Sequence, residues 1–97
     1  MRQIAHFVNG APFEPTSGRF GDVFNPNTGE VQARVGLGAE ADLDRAVQSA
    51  LAAQPGWAAT NPQRRARVMF EFKRLIEANM TELAELLSSE HGKVVAD

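Results

Sequence analysis

The 97-residue sequence has no cysteine and no tyrosine, and its only tryptophan is Trp57. Without cysteine there can be no disulfide scaffold, no Cys-ligated zinc, no iron–sulfur centre and no thiol nucleophile within this chain. Neither sign of charge dominates: 10 Lys+Arg stand against 12 Asp+Glu, a formal net of −2. That balance argues against a nucleic-acid or membrane binder driven by electrostatics. No apolar run approaches the ~18 residues of a membrane span. Met1-Arg2-Gln3-Ile4-Ala5-His6 lacks an apolar core followed by a small-residue cleavage site, so no secretory signal is expected. A soluble, cytoplasmic chain is the expectation. Large apolar side chains are also few. Fifteen of the 42 hydrophobic residues are alanine, leaving 27 able to anchor a core. One small domain of this length folds alone only if those side chains meet efficiently.

The first 38 residues read as two β-hairpins. Asn9-Gly10 lies between Phe7-Val8 and Ala11-Pro12-Phe13, and Asn-Gly favours the positive φ angles of a two-residue type I′ turn. Pro12 and Pro15 limit the second arm to an edge position, because proline has no N–H for the ladder. A second hairpin pairs Phe20–Phe24 with a return arm on which Val31, Ala33, Val35 and Leu37 share one face. Asn25-Pro26-Asn27-Thr28-Gly29 supplies the turn chemistry between the arms.

Residues 39–97 switch to helical period. Leu43, Ala46, Val47, Ala50 and Leu51 form an apolar stripe. Glu40, Asp42 and Asp44 crowd the first turns, where the helix dipole favours acids. Pro55-Gly56 is expected to end this helix. Asn61 is a candidate N-cap with Pro62 at the first helical position. From there Met69, Phe72, Ile76, Met80, Leu83 and Leu87 recur at helical spacing, the clearest periodic signal in the chain. A break is expected at 78–81, where Asn79 interrupts and Thr81 is available to cap a further helix. Gly92 is the expected C-terminal stop.

Three patterns invite a chemical reading, and each has a plainer one. Gly36-Leu37-Gly38-Ala39-Glu40-Ala41 matches a dinucleotide fingerprint, in which glycines let backbone amides approach a pyrophosphate. However, Glu40, Asp42 and Asp44 put negative charge where the diphosphate belongs, and no acid follows between Asp44 and Glu71 to hold a ribose. A strand-to-helix linker is the better reading. Arg64, Arg65, Arg67, Lys73 and Arg74 make a basic stretch, but no aromatic stacking platform interleaves them. They are expected to form a solvated or salt-bridged helix face, or to meet acidic groups elsewhere in a larger protein. Ser88 and His91 share a helix face without an orienting acid or an oxyanion hole, and are read as helix-end polar residues. His6 is the only other histidine, and neither has a ligand cluster around it. Asn79-Met80-Thr81 fits a glycosylation sequon but lies mid-helix. No catalytic, cofactor-binding or metal-ligating residue is assigned in this chain.

Taken together, Phe24-Asn25-Pro26-Asn27-Thr28-Gly29-Glu30-Val31, the helix from Ala41 leading to Pro55-Gly56-Trp57, and Arg64-Arg65-Ala66-Arg67 through Glu90-His91-Gly92-Lys93 resemble the N-terminal part of an aldehyde dehydrogenase. Within that superfamily the wording of His6-Phe7-Val8-Asn9-Gly10, Phe70-Glu71-Phe72-Lys73 and Glu90-His91-Gly92-Lys93 looks most like the CoA-acylating methylmalonate-semialdehyde dehydrogenases. The resemblance implies an α+β fragment, hairpins over 1–38 and helices over 39–97, belonging to an α/β NAD-binding domain. It implies NAD and coenzyme A as cofactors of a complete enzyme, with none held tightly by this chain. The family's catalytic cysteine, asparagine and glutamate fall downstream of these residues, so this portion is expected to be truncated scaffold, inactive by itself. Expected partners are the remainder of the dehydrogenase chain and further copies of it in a homo-oligomer, a tetramer, with no nucleic acid and no membrane. Two alternatives stand beside it. One is another subfamily, such as a succinate-semialdehyde dehydrogenase. The other is a stand-alone, non-catalytic module whose helical stripe binds a partner.

Overall fold

The computed structural model describes residues 1–97. Five strands precede three helices: β1 (Arg2–Ile4), β2 (His6–Val8), β3 (Ala11–Phe13), β4 (Phe20–Phe24), β5 (Val31–Gly36), α1 (Glu40–Ala59), α2 (Pro62–Ala78) and α3 (Met80–His91). Both expected hairpins form. β2 and β3 pair antiparallel with His6 opposite Phe13 and Val8 opposite Ala11. Asn9 and Gly10 take φ of 55° and 77°, the double positive φ of a type I′ turn. β4 and β5 pair antiparallel from Phe20 opposite Gly36 to Phe24 opposite Val31. Their connection closes locally. The Asn27 N–H donates to Asn25 Oδ1 at 2.9 Å, the Gly29 N–H to the Asn25 carbonyl at 2.8 Å and the Asn25 N–H to the Glu30 carbonyl at 2.8 Å.

The two-hairpin expectation for 1–38 is incomplete. β1 runs parallel to β5, with Arg2 opposite Ala33 and Ile4 opposite Val35, giving a three-stranded sheet in the order β1-β5-β4. This pairing joins residues far apart in sequence and leaves no local signal, because parallel neighbours are never linked by a tight turn.

α1 also departs from expectation. Pro55-Gly56 does not end it; the helix continues to Ala59 with Pro55 inside. Proline there lacks an N–H to offer the Leu51 carbonyl, so the ladder loses one bond. The end comes at Thr60, whose N–H donates to the Trp57 carbonyl at 3.1 Å and whose hydroxyl donates to the Gly56 carbonyl at 2.8 Å.

α2 starts as expected. Asn61 Oδ1 accepts the Arg64 N–H at 2.9 Å, with Pro62 first in the helix. The break between α2 and α3 falls at Asn79. There the expected cap is corrected: Thr81 lies inside α3, and Asn79 is the cap position without a side-chain cap bond. Asn79 instead turns its amide back to donate to the Leu75 carbonyl at 2.7 Å. α3 stops at Gly92, φ 88°, the left-handed terminator that glycine adopts without steric cost.

Two junctions hold helices to sheets. The end of α3 is tied to the three-stranded sheet by Gln32 Nε2 donating to the Ser89 carbonyl at 2.9 Å and by Arg2 reaching Glu90 at 3.4 Å. Gly92 lies against Pro26, where an added Cβ would sit 3.3 Å from the proline ring. The start of α1 is held to the loop after β3, as described below.

Beyond these junctions little is covered. Only Pro15, Ala33, Gly36 and Asp42 are buried. The molecule measures 48 × 37 × 15 Å with a radius of gyration of 17.1 Å, against about 12–13 Å for a compact domain of this length. The helical stripe faces outward: Met69, Phe72, Met80, Leu83 and Leu87 are all exposed, as are Leu43, Val47 and Leu51 on α1.

Candidate functional site

The best-packed place in the chain is the entry to α1, and Asp42 is its centre. At 5% exposure it is the one buried charged residue. Its Oδ2 accepts the Ala39 N–H at 2.9 Å. The Thr16 N–H reaches both carboxylate oxygens at 3.2 Å. His6 Nε2 stands 3.8 Å from Oδ2. The carboxylate is held below the ordinary range for aspartate, chiefly by the Ala39 N–H. Burial opposes this, while the Thr16 bonds and the His6 charge add to it.

Glycine makes this junction possible. A Cβ on Gly36 would lie 2.6 Å from Cγ and 2.9 Å from Cδ of Pro15, so the loop carrying Thr16 crosses β5 only where β5 has no side chain. Ser17 adds a bond from its hydroxyl to the Leu37 carbonyl at 2.5 Å. Of the two dinucleotide-like glycines, Gly36 is therefore a packing residue, while a Cβ on Gly38 would meet only the His6 ring at an ordinary 3.7 Å. The Asp42 carboxylate fills the positive helix start that a diphosphate would otherwise occupy. Sequence reasoning placed Asp42 among acids favoured by the dipole but had no means of seeing Thr16, 26 residues earlier.

Beside this junction lies an open, mainly apolar cleft of about 520 Å³ between the β2–β3 hairpin and α1, with His6, Phe13, Asp42 and Leu43 on its walls. Phe13 holds the hairpin to α1 by stacking under the Arg45 guanidinium at 4.1 Å, a cation–π arrangement.

The remaining candidates resolve simply. Ser88 donates its hydroxyl to the Lys93 carbonyl and its own carbonyl accepts the Gly92 N–H at 2.8 Å, so Ser88 and His91 belong to the helix end. In the basic stretch, Arg74 grips Glu71 with bonds of 2.9 and 2.5 Å and Lys73 meets Glu77 at 3.0 Å. The Arg74 bond lowers the Glu71 carboxyl below its ordinary range, with burial opposing. Arg64, Arg65 and Arg67 pair with no carboxylate of this chain. No group of three or more His, Asp or Glu side chains converges as a metal site would require, and no helix is long and apolar enough to cross a membrane.

The chain is thus a flat layer of hairpins and helices whose fingerprint-like helix start is filled by Asp42. The chain belongs to the aldehyde dehydrogenase family, whose family model matches residues 13–97. Its fold is that of the N-terminal part of aldehyde dehydrogenase structures. A Sinorhizobium meliloti structure described as methylmalonate-semialdehyde dehydrogenase, complexed with NAD, superposes with a TM-score of 0.98 at 58% identity, covering 100% of this chain and 20% of that one. The malonate-semialdehyde dehydrogenase of Pseudomonas aeruginosa is 41% identical over 97 residues, all of this chain and 19% of its own length. The mitochondrial methylmalonate-semialdehyde/malonate-semialdehyde dehydrogenase [acylating] of Mus musculus is 38% identical over 91 residues, 94% of this chain and 17% of its own. The chain thus spans about a fifth of the relatives it matches.

Proposed function

We propose that this chain is the outer layer of an NAD-dependent, CoA-acylating dehydrogenase acting on malonate or methylmalonate semialdehyde, in the cytoplasm and in the service of valine breakdown. The observation that carries this reading is the likeness, over the entire chain, to a methylmalonate-semialdehyde dehydrogenase at 58% identity. The mouse relative described as acylating supports acylation, here of coenzyme A, as part of this reading.

The residues of this chain do not fit NAD: their one fingerprint-like helix start is filled by Asp42. They do not fit covalent aldehyde chemistry either, since a thioester needs a thiol and the sequence has none. NAD and coenzyme A then belong to the other four-fifths of the enzyme. The part played here is to cover that body. The stripe from Met69 to Leu87 packs on its NAD-binding domain, Arg64, Arg65 and Arg67 face its acids, and copies of the whole assemble as a tetramer.

Complementation tests this. The purified 97-residue chain alone is expected to reduce no NAD with malonate or methylmalonate semialdehyde and coenzyme A. A dehydrogenase of this family lacking its matching first fifth is expected to be inactive or aggregated until co-expressed with this chain. Turnover by the chain alone, or a truncated enzyme fully active without it, overturns the proposal.

A further inference from the structure

We propose that Asn9 is a site of spontaneous covalent modification, converting in the native protein through a succinimide into isoaspartate and aspartate. The reaction needs only water. The Gly10 nitrogen forms a bond to Asn9 Cγ and gives up its proton, and the side-chain amide leaves as ammonia. Water then opens the five-membered ring. Cleavage between Cγ and the Gly10 nitrogen yields aspartate; cleavage between the Asn9 main-chain carbonyl carbon and that nitrogen yields isoaspartate. Nothing is oxidised or reduced.

The structure separates Asn9 from the four other asparagines. Asn25 and Asn61 precede Pro26 and Pro62, whose nitrogens carry no proton to lose. Their side-chain oxygens are also occupied, by the Asn27 and Arg64 N–H groups at 2.9 Å each. Asn79 has its amide bonded to the Leu75 carbonyl at 2.7 Å. Asn27 precedes Thr28, whose branched side chain crowds the attacking nitrogen. Asn9 is exposed, as are Asn27, Asn61 and Asn79, but it alone combines a side chain free of hydrogen bonds with a following residue that has no side chain. A Cβ at Gly10 would meet nothing within 4 Å, so the approach is open, and the Gly10 N–H is bonded to no turn carbonyl.

A tight turn protects asparagine only while it stays closed. Here the ribbon is two strands of three residues each, joined to no third strand, and Pro12, whose ring nitrogen lies on the outer edge, has no N–H to offer one. Two-stranded hairpins are marginal in water, and such elements open locally at little free-energy cost. The two products differ in effect. Aspartate preserves the turn, since Asp-Gly also forms type I′. Isoaspartate adds a carbon to the main chain at the apex, shifts the Val8–Ala11 register and draws Phe13 from beneath Arg45.

The experiment stores the native protein, in the assembly in which it is purified, at mildly alkaline pH beside a synthetic peptide of residues 5–14. Tryptic peptide Gln3–Arg19 is followed by mass spectrometry, and isoaspartate by methyltransferase labelling. Conversion at Asn9 is expected no more than about tenfold slower than in the open peptide, isoaspartate the larger product, with the other four asparagines intact. Asn9 unchanged when the peptide has converted, or another asparagine converting first, overturns the proposal. N9Q should abolish the labelling.

Discussion

The Thr16 N–H bisects the Asp42 carboxylate, 3.2 Å from each oxygen, while the Ala39 N–H takes Oδ2 at 2.9 Å. Donors therefore converge on both oxygens. D42N replaces one acceptor with an NH2 group that points at an N–H whichever way the amide is turned. It is expected to lower the melting temperature by several degrees and to free the loop 14–19, seen as faster exchange of the Thr16 amide proton. D42E, which keeps the acceptors but lengthens the arm, should restore part of the loss.

The same carboxylate makes an acid limb in stability. Its folded pKa lies below the ordinary aspartate value that it has in the unfolded chain, so its contribution is fully present above that ordinary value. It is lost as pH falls through the lower folded value, because the unfolded state binds the proton first. Stability measured against pH should decline over that acid range in the native sequence. In D42N the decline should be flatter, and equal slopes for the two proteins would refute the assignment.

Gly36→Ala places a methyl 2.6 Å from Pro15 Cγ, closer than packed atoms tolerate. Overpacking of this kind costs about 1–3 kcal/mol, read as a lower denaturant midpoint. Pairing G36A with P15A should recover much of it, and that coupling would show the clash to be the cause.

At the start of α2, Asn61→Ala removes the acceptor of the Arg64 N–H and should cost about 0.5–2 kcal/mol. In α1, Pro55→Ala returns an N–H for the Leu51 carbonyl and should stabilise the helix by up to about 3 kcal/mol. Circular dichroism would register the second as a gain in helix, and chemical denaturation would give both magnitudes.

The outward stripe gives a further expectation. The separate chain should bind a hydrophobic dye and self-associate. M69K combined with F72K, which charges two exposed positions, should reduce both effects without loss of helix content. An unchanged dye signal would place the adhesive surface elsewhere.

Features set by a few adjacent residues were legible in the sequence. Asn9-Gly10 dictated its turn, Asn61-Pro62 a helix start, Asn79 a break and Gly92 a stop, because each acts through its own backbone angles or a bond within one helical turn. Pro55-Gly56 misled, since a proline in the fifth turn of a 20-residue helix removes one ladder bond and Thr60 supplies the actual closure three residues after Trp57. β1 against β5 and Thr16 against Asp42 were illegible for a different reason. Both join distant segments, and the donor in the second is a backbone N–H that every non-proline residue possesses. The family resemblance was carried by the order of turn, helix and arginine-rich segment rather than by any reacting group.

A body 15 Å deep is barely thicker than one helix with its side chains, about 10–12 Å across. Such a sheet-like piece encloses almost no interior, with only four residues shielded from water. Its persistence is then set by how much complementary polypeptide is at hand and how firmly it is gripped, as for any species that exists by mass action. Melting curves of this segment should accordingly shift with the concentration of whatever lies against it.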